Sequence, residues 1–343
     1  MTERDYGYDF IRAAGIVFIA VYHFALCVRD AAEQAFPLFV RLFMSGSCNI
    51  GRTGVAWFFI LSGSVLQKTY SDGVDPRLFY KKRALRMFVP LWIAYAFYYI
   101  LSYPADPAVS GAPVSSILTA LLGMDFYYFY FTGSWNLVLV GEWFTSVILT
   151  LYLLFPLVHR LFSRYRKWVT PLLLIAFAVN LHFEILTTND GAWSVVNALV
   201  YFWLGMLFEV HRETITGRHI PLMCLFIALG VDACFNGGIF GFKYLTTFIF
   251  AICSYIAAYH FSALFGFLRP AVRYFSRLNY EIYLTHHRIY TLLIPALLNK
   301  DSGSLSIIFV FITTTAVILL LSEKLSCITA RLMNTRFAKA ARP

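Results

Sequence analysis

The sequence predicts an all-α polytopic membrane bundle of about ten transmembrane helices, with both termini in the cytoplasm. The composition, the recurrence of long apolar runs and the distribution of basic residues favour this class. Hydrophobic residues make up 59% of the 343 residues, charged residues only 13%, and the mean hydropathy is +0.68. A soluble domain keeps roughly a quarter of its residues charged because its surface faces water. The surface of this chain is therefore expected to face lipid.

Apolar runs long enough to cross a hydrocarbon core of about 30 Å recur from end to end. We expect residues 1–343 to form a single membrane domain, because no intervening stretch is long or polar enough for a soluble one. A shorter apolar piece, Val114–Gly123, is predicted to be re-entrant or interfacial. The predicted spans are 9–28, 50–67, 85–103, 136–158, 168–187, 193–210, 219–236, 243–261, 278–298 and 304–327.

The basic residues predict the orientation of these spans. With the N-terminus inside, 22 of the 28 lysines and arginines fall on the cytoplasmic side and 5 on the outer side, while Arg288 lies within a span. Cytoplasmic loops of membrane proteins carry an excess of lysine and arginine, and this distribution follows that rule. It explains the net charge of +10 without nucleic-acid binding.

The first span carries two ionisable side chains, Arg12 and His23. Their separation is about three helical turns, so they share one face and lie roughly 16 Å apart along the axis. Such a helix could hold an anionic cytoplasmic group at Arg12 and carry out proton chemistry at His23. Alternatively, Arg12 snorkels to the interface and His23 bonds to a neighbouring helix.

The next two spans add a small-residue pair and a basic pair. Ser62 and Gly63 permit close backbone approach and supply a hydroxyl, which helix packing alone would explain. Arg83 and Arg86, three apart on one helical face, suit a phosphate or diphosphate. Ordinary positive-inside anchoring explains the arginines equally well.

Later spans contain further costly polar residues. Glu142 is predicted at a depth similar to that of His23, where a carboxylate would fix the tautomer of a general base. Tyr283, His286, His287 and Arg288 lie together in the ninth span and are expected to face the bundle interior or a wet cavity. Adjacent histidines are poor joint metal ligands on a helix, and the six cysteines show no metal-ligand spacing. The sequence therefore predicts no metal site.

Several of these features together resemble the bacterial membrane acyltransferases of family 3, which O-acetylate extracellular polysaccharides. The similarity extends from about Tyr8 to the last span. The matching motifs, in order, are Arg12-x10-His23, Phe58–Gly63, Arg83-x-x-Arg86, Trp143-Phe144 through Pro156, and Ile282-Tyr283-Leu284-Thr285-His286.

The resemblance implies a ten-helix acyltransferase of the bacterial cytoplasmic membrane that takes acyl-CoA, with acetyl-CoA expected as co-substrate, and needs no metal or prosthetic group. His23 would be catalytic, and Arg12, Ser62, Gly63, Arg83 and Arg86 would form the acyl-CoA site. The acceptor would be a hydroxyl of an extracytoplasmic glycan or lipid-linked sugar.

Glu142 stands where the family often has an apolar residue, so its catalytic role rests on the depth argument alone. Tyr283 and His286 are candidates to line the cavity. A transporter or exporter of a polysaccharide or lipid-linked sugar is the rival hypothesis, and a purely structural membrane component is a third. The oligomeric state, a homo-oligomer included, is left open by the sequence.

Overall fold

Every regular element in the computed structural model is a helix, within the residues that it describes: 5–31, 49–103, 113–133, 140, 142–183, 194–217, 219–235 and 243–334. No strand occurs in these ranges, which confirms the all-α class. The helices are α1 (Tyr6–Ala31), α2 (Ile50–Thr69), α3 (Pro76–Ser102), α4 (Val114–Leu121), α5 (Asp125–Thr132), α6 (Glu142–Phe183), α7 (Val195–Val210), α8 (Arg212–Thr216), α9 (Ile220–Phe235), α10 (Lys243–Phe261), α11 (Arg269–Leu297) and α12 (Ser304–Asn334). A 3₁₀ turn, Ser262–Leu268, joins α10 to α11.

Five helical stretches of the described chain are long and apolar enough to cross a membrane. Two of them, Trp143–Leu181 and Leu245–Leu297, hold 39 and 53 residues, so each is long enough for two of the predicted spans. α6 departs from helical geometry at Tyr165, and the 3₁₀ turn interrupts the second stretch. The chain is thus a multi-pass membrane protein, while ten crossings and cytoplasmic termini stay predictions.

The chain divides into two compact units. Unit 1 comprises residues 1–72 and 162–279, and unit 2 comprises residues 73–161 and 280–343. The predicted single domain includes both units and stays a prediction.

The core of unit 1 is built where α2 and α7 cross. Gly63 faces the Phe202 carbonyl and Gly205 faces the Ile60 carbonyl; a β-carbon at either glycine would lie 1.9 Å from that oxygen. The Ser64 hydroxyl donates to the Gly205 carbonyl at 2.9 Å. Close approach of this kind is what small residues provide between membrane helices. The buried side chains packed around the crossing are Tyr8, Ile11, Trp57, Ile60, Leu61, Phe208 and Tyr255.

An ionic cluster ties the start of α1 to α2, α8 and α10 in unit 1. The Asp5 carboxylate accepts from the amide of Gly7 and therefore caps α1. It also accepts from Lys68 Nζ at 3.0 Å, from Arg212 Nη1 at 2.9 Å and from the Tyr259 hydroxyl at 3.0 Å. Burial by itself would raise the pKa of Asp5, but the bonds and charge of Lys68 and the Tyr259 hydroxyl outweigh it, and the pKa lies below its ordinary value.

Unit 2 is held together by hydrogen bonds between α3, α11 and α12. The hydroxyl of Tyr98 donates to the Thr285 carbonyl at 3.4 Å, and that of Tyr280 donates to the Met87 carbonyl at 3.1 Å. The hydroxyls of Thr285 and Ser322 lie 3.0 Å apart in the interior. Polar contacts of this kind position α11, the helix that carries His286.

Candidate functional site

The predicted site residues are divided between the two units. Unit 1 holds Arg12, His23, Ser62 and Gly63, and unit 2 holds Arg83, Arg86, Glu142, Tyr283 and His286.

Arg12 is oriented by a buried carboxylate. Its Nη1 lies 3.1 Å from the carboxylate of Asp9, one turn earlier on α1. Asp9 is 1% exposed and accepts a second hydrogen bond, from the Ser276 hydroxyl at 2.8 Å. Because Ser276 belongs to α11, two helices fix the carboxylate. The Arg12 side chain is 26% exposed.

His23 lies half-buried on the same uninterrupted helix, and its own helix sets its tautomer. Nδ1 is 3.0 Å from the carbonyl of Ile19, one turn earlier. A carbonyl oxygen only accepts, so in the neutral ring Nδ1 carries the proton and Nε2 carries the lone pair. This is the tautomer that a general base or an imidazole nucleophile requires at Nε2.

The Ser62-Gly63 pair has one member at the helix crossing and one beside it. Gly63 is buried against the backbone of α7, as described above, whereas Ser62 is half-buried. The neighbouring Ser64, which sequence reasoning did not single out, makes the bond across the crossing. Gly63 therefore acts in helix packing, and its place in an acyl-CoA site stays a prediction.

Arg83 and Arg86 have different surroundings in unit 2. The guanidinium of Arg83 lies over the ring of Tyr152 at 4.9 Å and over that of Phe79 at 5.8 Å. A guanidinium over an aromatic face is attracted by the negative face of the ring, and its N–H groups are the donors that bind a phosphate. Arg86 is exposed. Arg83 is half-buried, and the acyl-CoA binding assigned to the two arginines stays a prediction.

His286 and Tyr283 are interior residues of α11. His286 is 0% and Tyr283 is 6% exposed, and their rings are 5.8 Å apart. His286 Nδ1 faces the carbonyls of Ile282 at 3.1 Å and of Tyr283 at 2.8 Å. Because a carbonyl only accepts, the neutral ring of His286 also carries its proton on Nδ1. Among the predicted site residues, these two are in direct contact.

Glu142 is the first residue of α6, and its side chain lies outside the described part of the chain. The predicted pairing of Glu142 with His23 stays a prediction. In the described ranges, no group of three or more His, Cys, Asp or Glu side chains could hold a metal ion.

Sequence reasoning did not assign a role to Asp9 or Ser276. The spacing of Asp9, three residues before Arg12, is the one at which side chains meet on a helix, and this signal could have identified it. No comparable signal exists for Ser276, because 267 residues separate it from Asp9.

Comparison with known proteins adds one finding. A family model described as an acyltransferase domain, Acyl_transf_3, matches residues 5–323, which is essentially the whole chain. Neither the curated proteins nor the solved structures gave a match.

Proposed function

The chain belongs to acyltransferase family 3, and from this premise we propose that it transfers an acyl group, acetyl first of all, from cytoplasmic acyl-CoA to a hydroxyl of an extracytoplasmic glycan or lipid-linked sugar. Family membership makes it an acyltransferase. The donor, the acceptor, the residues and the bacterial cytoplasmic membrane are our proposal.

The contact between His23 Nδ1 and the Ile19 carbonyl is the observation that carries the assignment of the reaction centre. With Nδ1 bonded to the Ile19 carbonyl, Nε2 can take the proton of the acceptor hydroxyl. The hydroxyl oxygen then attacks the thioester carbonyl, the carbon–sulfur bond breaks, and CoA leaves as a thiolate that regains a proton. The Ile19 carbonyl stabilises the imidazolium that forms meanwhile.

A relay is the second route to the same products. Nε2 would attack the thioester carbonyl, the carbon–sulfur bond would break, and CoA would leave as a thiolate. The acceptor oxygen would then attack the acyl-imidazole, the bond from the acyl carbon to Nε2 would break, and the hydroxyl proton would end on the CoA thiolate. Both routes require the same nitrogen.

The arginines supply binding to the anionic donor. CoA carries a diphosphate and a ribose phosphate, and guanidinium groups bind such oxyanions in bidentate fashion. Arg12 is oriented for this by Asp9, and Arg83 is held by two aromatic rings. Fixing a side chain in advance lowers the entropy lost when a ligand binds.

The test uses labelled acetyl-CoA and the purified full-length protein, with transfer and acetyl-CoA hydrolysis both measured. The asparagine amide keeps a donor at the place of Nδ1 but has no group at the place of Nε2. His23→Asn is therefore expected to lower turnover by at least about a hundredfold, the contribution of a positioned base. His260→Asn, at an exposed position on α10, is the matched control and keeps the activity.

The same assay distinguishes His23 from His286, whose Nδ1 atom also contacts helix carbonyls. His286→Asn keeps the bond to the helix carbonyls, and because His286 is fully buried we expect most activity to remain. Absence of any acetyl-CoA turnover by the wild type would overturn the proposed donor. Full activity of His23→Asn would overturn the proposed reaction centre instead.

A further inference from the structure

Arg288 is a half-buried cation of unit 2 that the acyl-transfer chemistry above does not use. It lies in the second half of α11, nine residues before the helix ends at Leu297. Its Nη2 donates to the Ser102 hydroxyl at 2.9 Å. Ser102 is the last residue of α3 and is 4% exposed. The basic-residue distribution predicts that both of these helix ends are extracytoplasmic.

The guanidinium of Arg288 contacts the protein through Nη2 and places Nε in a buried position. Besides its bond to the buried Ser102 hydroxyl, it lies within electrostatic range of Tyr98, which is 1% exposed. The Nε atom is itself buried and has no hydrogen-bond acceptor. An arginine that only anchored the helix at the interface would extend its donors to water or lipid headgroups.

No carboxylate among the described residues neutralises Arg288. Several carboxylates of the described residues pair with other cations: Asp9 with Arg12, Asp30 with Arg29, Asp5 with Lys68 and Arg212, and Glu209 with Arg212. A charged side chain inside a membrane protein is costly without a counter-charge, and such residues mark substrate or ion paths. A bound anion would supply both the missing charge and an acceptor for Nε.

We propose that Arg288, with Ser102 as its orienting partner, binds an anionic group of the acceptor, a carboxylate or phosphate, at the extracytoplasmic end of unit 2. A carboxylate or a phosphate offers two oxygen acceptors to adjacent guanidinium donors, and the hydroxyl of Ser102 holds the guanidinium in place. The substrate class is then a sugar acid or a sugar phosphate, in preference to a neutral sugar.

This inference rests on the proposed function only for naming the ligand as the acceptor. Binding can therefore be measured without acetyl-CoA, on the purified full-length protein in phosphatidylcholine nanodiscs. The probes are methyl glucuronide, glucose 1-phosphate and the neutral methyl glucoside, and calorimetry gives the Kd of each. We expect at least one anionic sugar to bind about tenfold or more tightly than the glucoside, as one charge-assisted contact provides.

The variants assign this preference to one residue. Arg288→Gln is expected to abolish it and Arg288→Lys to retain part of it, since lysine keeps the charge without the planar fork. Arg331→Gln, at an exposed arginine of α12 in the same unit, is the matched control and keeps the preference. Equal Kd values for all three sugars in the wild type, or a preference that survives Arg288→Gln, would overturn the proposal.

Two further comparisons complete the experiment. One distinguishes a lipid from a sugar as the source of the anion, and the other distinguishes failure of the Arg288 site from failure of the proposed function. If nanodiscs containing phosphatidylglycerol raise the melting temperature of the wild type but not of Arg288→Gln, while no sugar binds preferentially, the ligand is a lipid and the acceptor assignment is wrong. Loss of acetyl transfer together with intact anion binding would count against the proposed function alone. Transfer that proceeds equally well to neutral and anionic sugars would count against the Arg288 site alone.

Discussion

Replacing Gly63 with alanine is expected to destabilise unit 1 strongly, although it adds a single methyl group. The new β-carbon would stand 1.9 Å from the Phe202 carbonyl oxygen and 3.2 Å from the Met206 nitrogen, both backbone atoms of α7. Real β-carbons essentially never come within 3.0 Å of another heavy atom. A flexible side chain could turn aside, but a helix backbone cannot. The two helices must therefore separate by more than an ångström.

The magnitude follows from what this separation breaks. Overpacking a well-packed interior costs about 1–3 kcal/mol, and a backbone obstacle puts this site at the upper end. Moving α7 away also weakens the 2.9 Å bond from Ser64 to Gly205, which contributes about 1 kcal/mol. The higher helix propensity of alanine returns about 1 kcal/mol. We expect the free energy of unfolding to fall by about 3 kcal/mol.

Thermal or denaturant unfolding of the purified protein in detergent measures this loss. Gly230→Ala in α9 is the matched control: a β-carbon there meets no atom within 4 Å, so the change should raise the stability by about 0.5–1 kcal/mol. Ser62→Ala should leave the stability nearly unchanged, because Ser62 is half-buried beside the crossing. A Gly63→Ala protein as stable as the wild type would refute the packing argument.

Three further predictions concern charged residues. Asp9→Asn should raise the KM for acetyl-CoA about threefold to tenfold with a smaller change in kcat, because the neighbouring guanidinium loses its orienting charge; Asp30→Asn, in an exposed pair on the same helix, should change neither constant. Asp5→Asn keeps the helix cap but loses the charge, and should cost about 1–2 kcal/mol at neutral pH. The pKa of Asp5 is lowered in the folded state, so the stability difference between the wild type and Asp5→Asn is fully present above the unfolded-state pKa. It vanishes as the pH falls through the folded-state pKa. A difference in melting temperature that stays constant from pH 7 to pH 3 would contradict this prediction. Arg83→Lys should weaken acetyl-CoA binding about tenfold in a direct binding assay, because lysine retains the charge but not the planar guanidinium that lies over Tyr152. An unchanged Kd would exclude Arg83 from the donor site.

The sequence predicted most of the helices but few of their partners. Helical periodicity placed Arg12 and His23 on one face, and the structure has both on the single helix α1. It gave no sign that Asp9 would meet Ser276, or that Gly63 would meet α7, because such partners depend on which helices pack together. Hydropathy likewise predicted two separate spans, 136–158 and 168–187, without revealing that one helical stretch, Trp143–Leu181, includes most of both.

Arg12, Arg83 and Arg288 are all half-buried, but they differ in the groups that compensate their charge. This difference is the reason for assigning them different ligands. Arg12 has a carboxylate at 3.1 Å, so an anion there competes with Asp9 and gains orientation more than charge. Within the described residues, Arg83 lies over two aromatic rings, whose quadrupoles offset its charge less than a carboxylate would and leave it available to a phosphate. Arg288 has a serine hydroxyl and no described carboxylate, so it depends most on its ligand for counter-charge. Where charge is least compensated, discrimination between anionic and neutral ligands is greatest, which is why we expect Arg288 to select the acceptor while Arg12 and Arg83 position the donor.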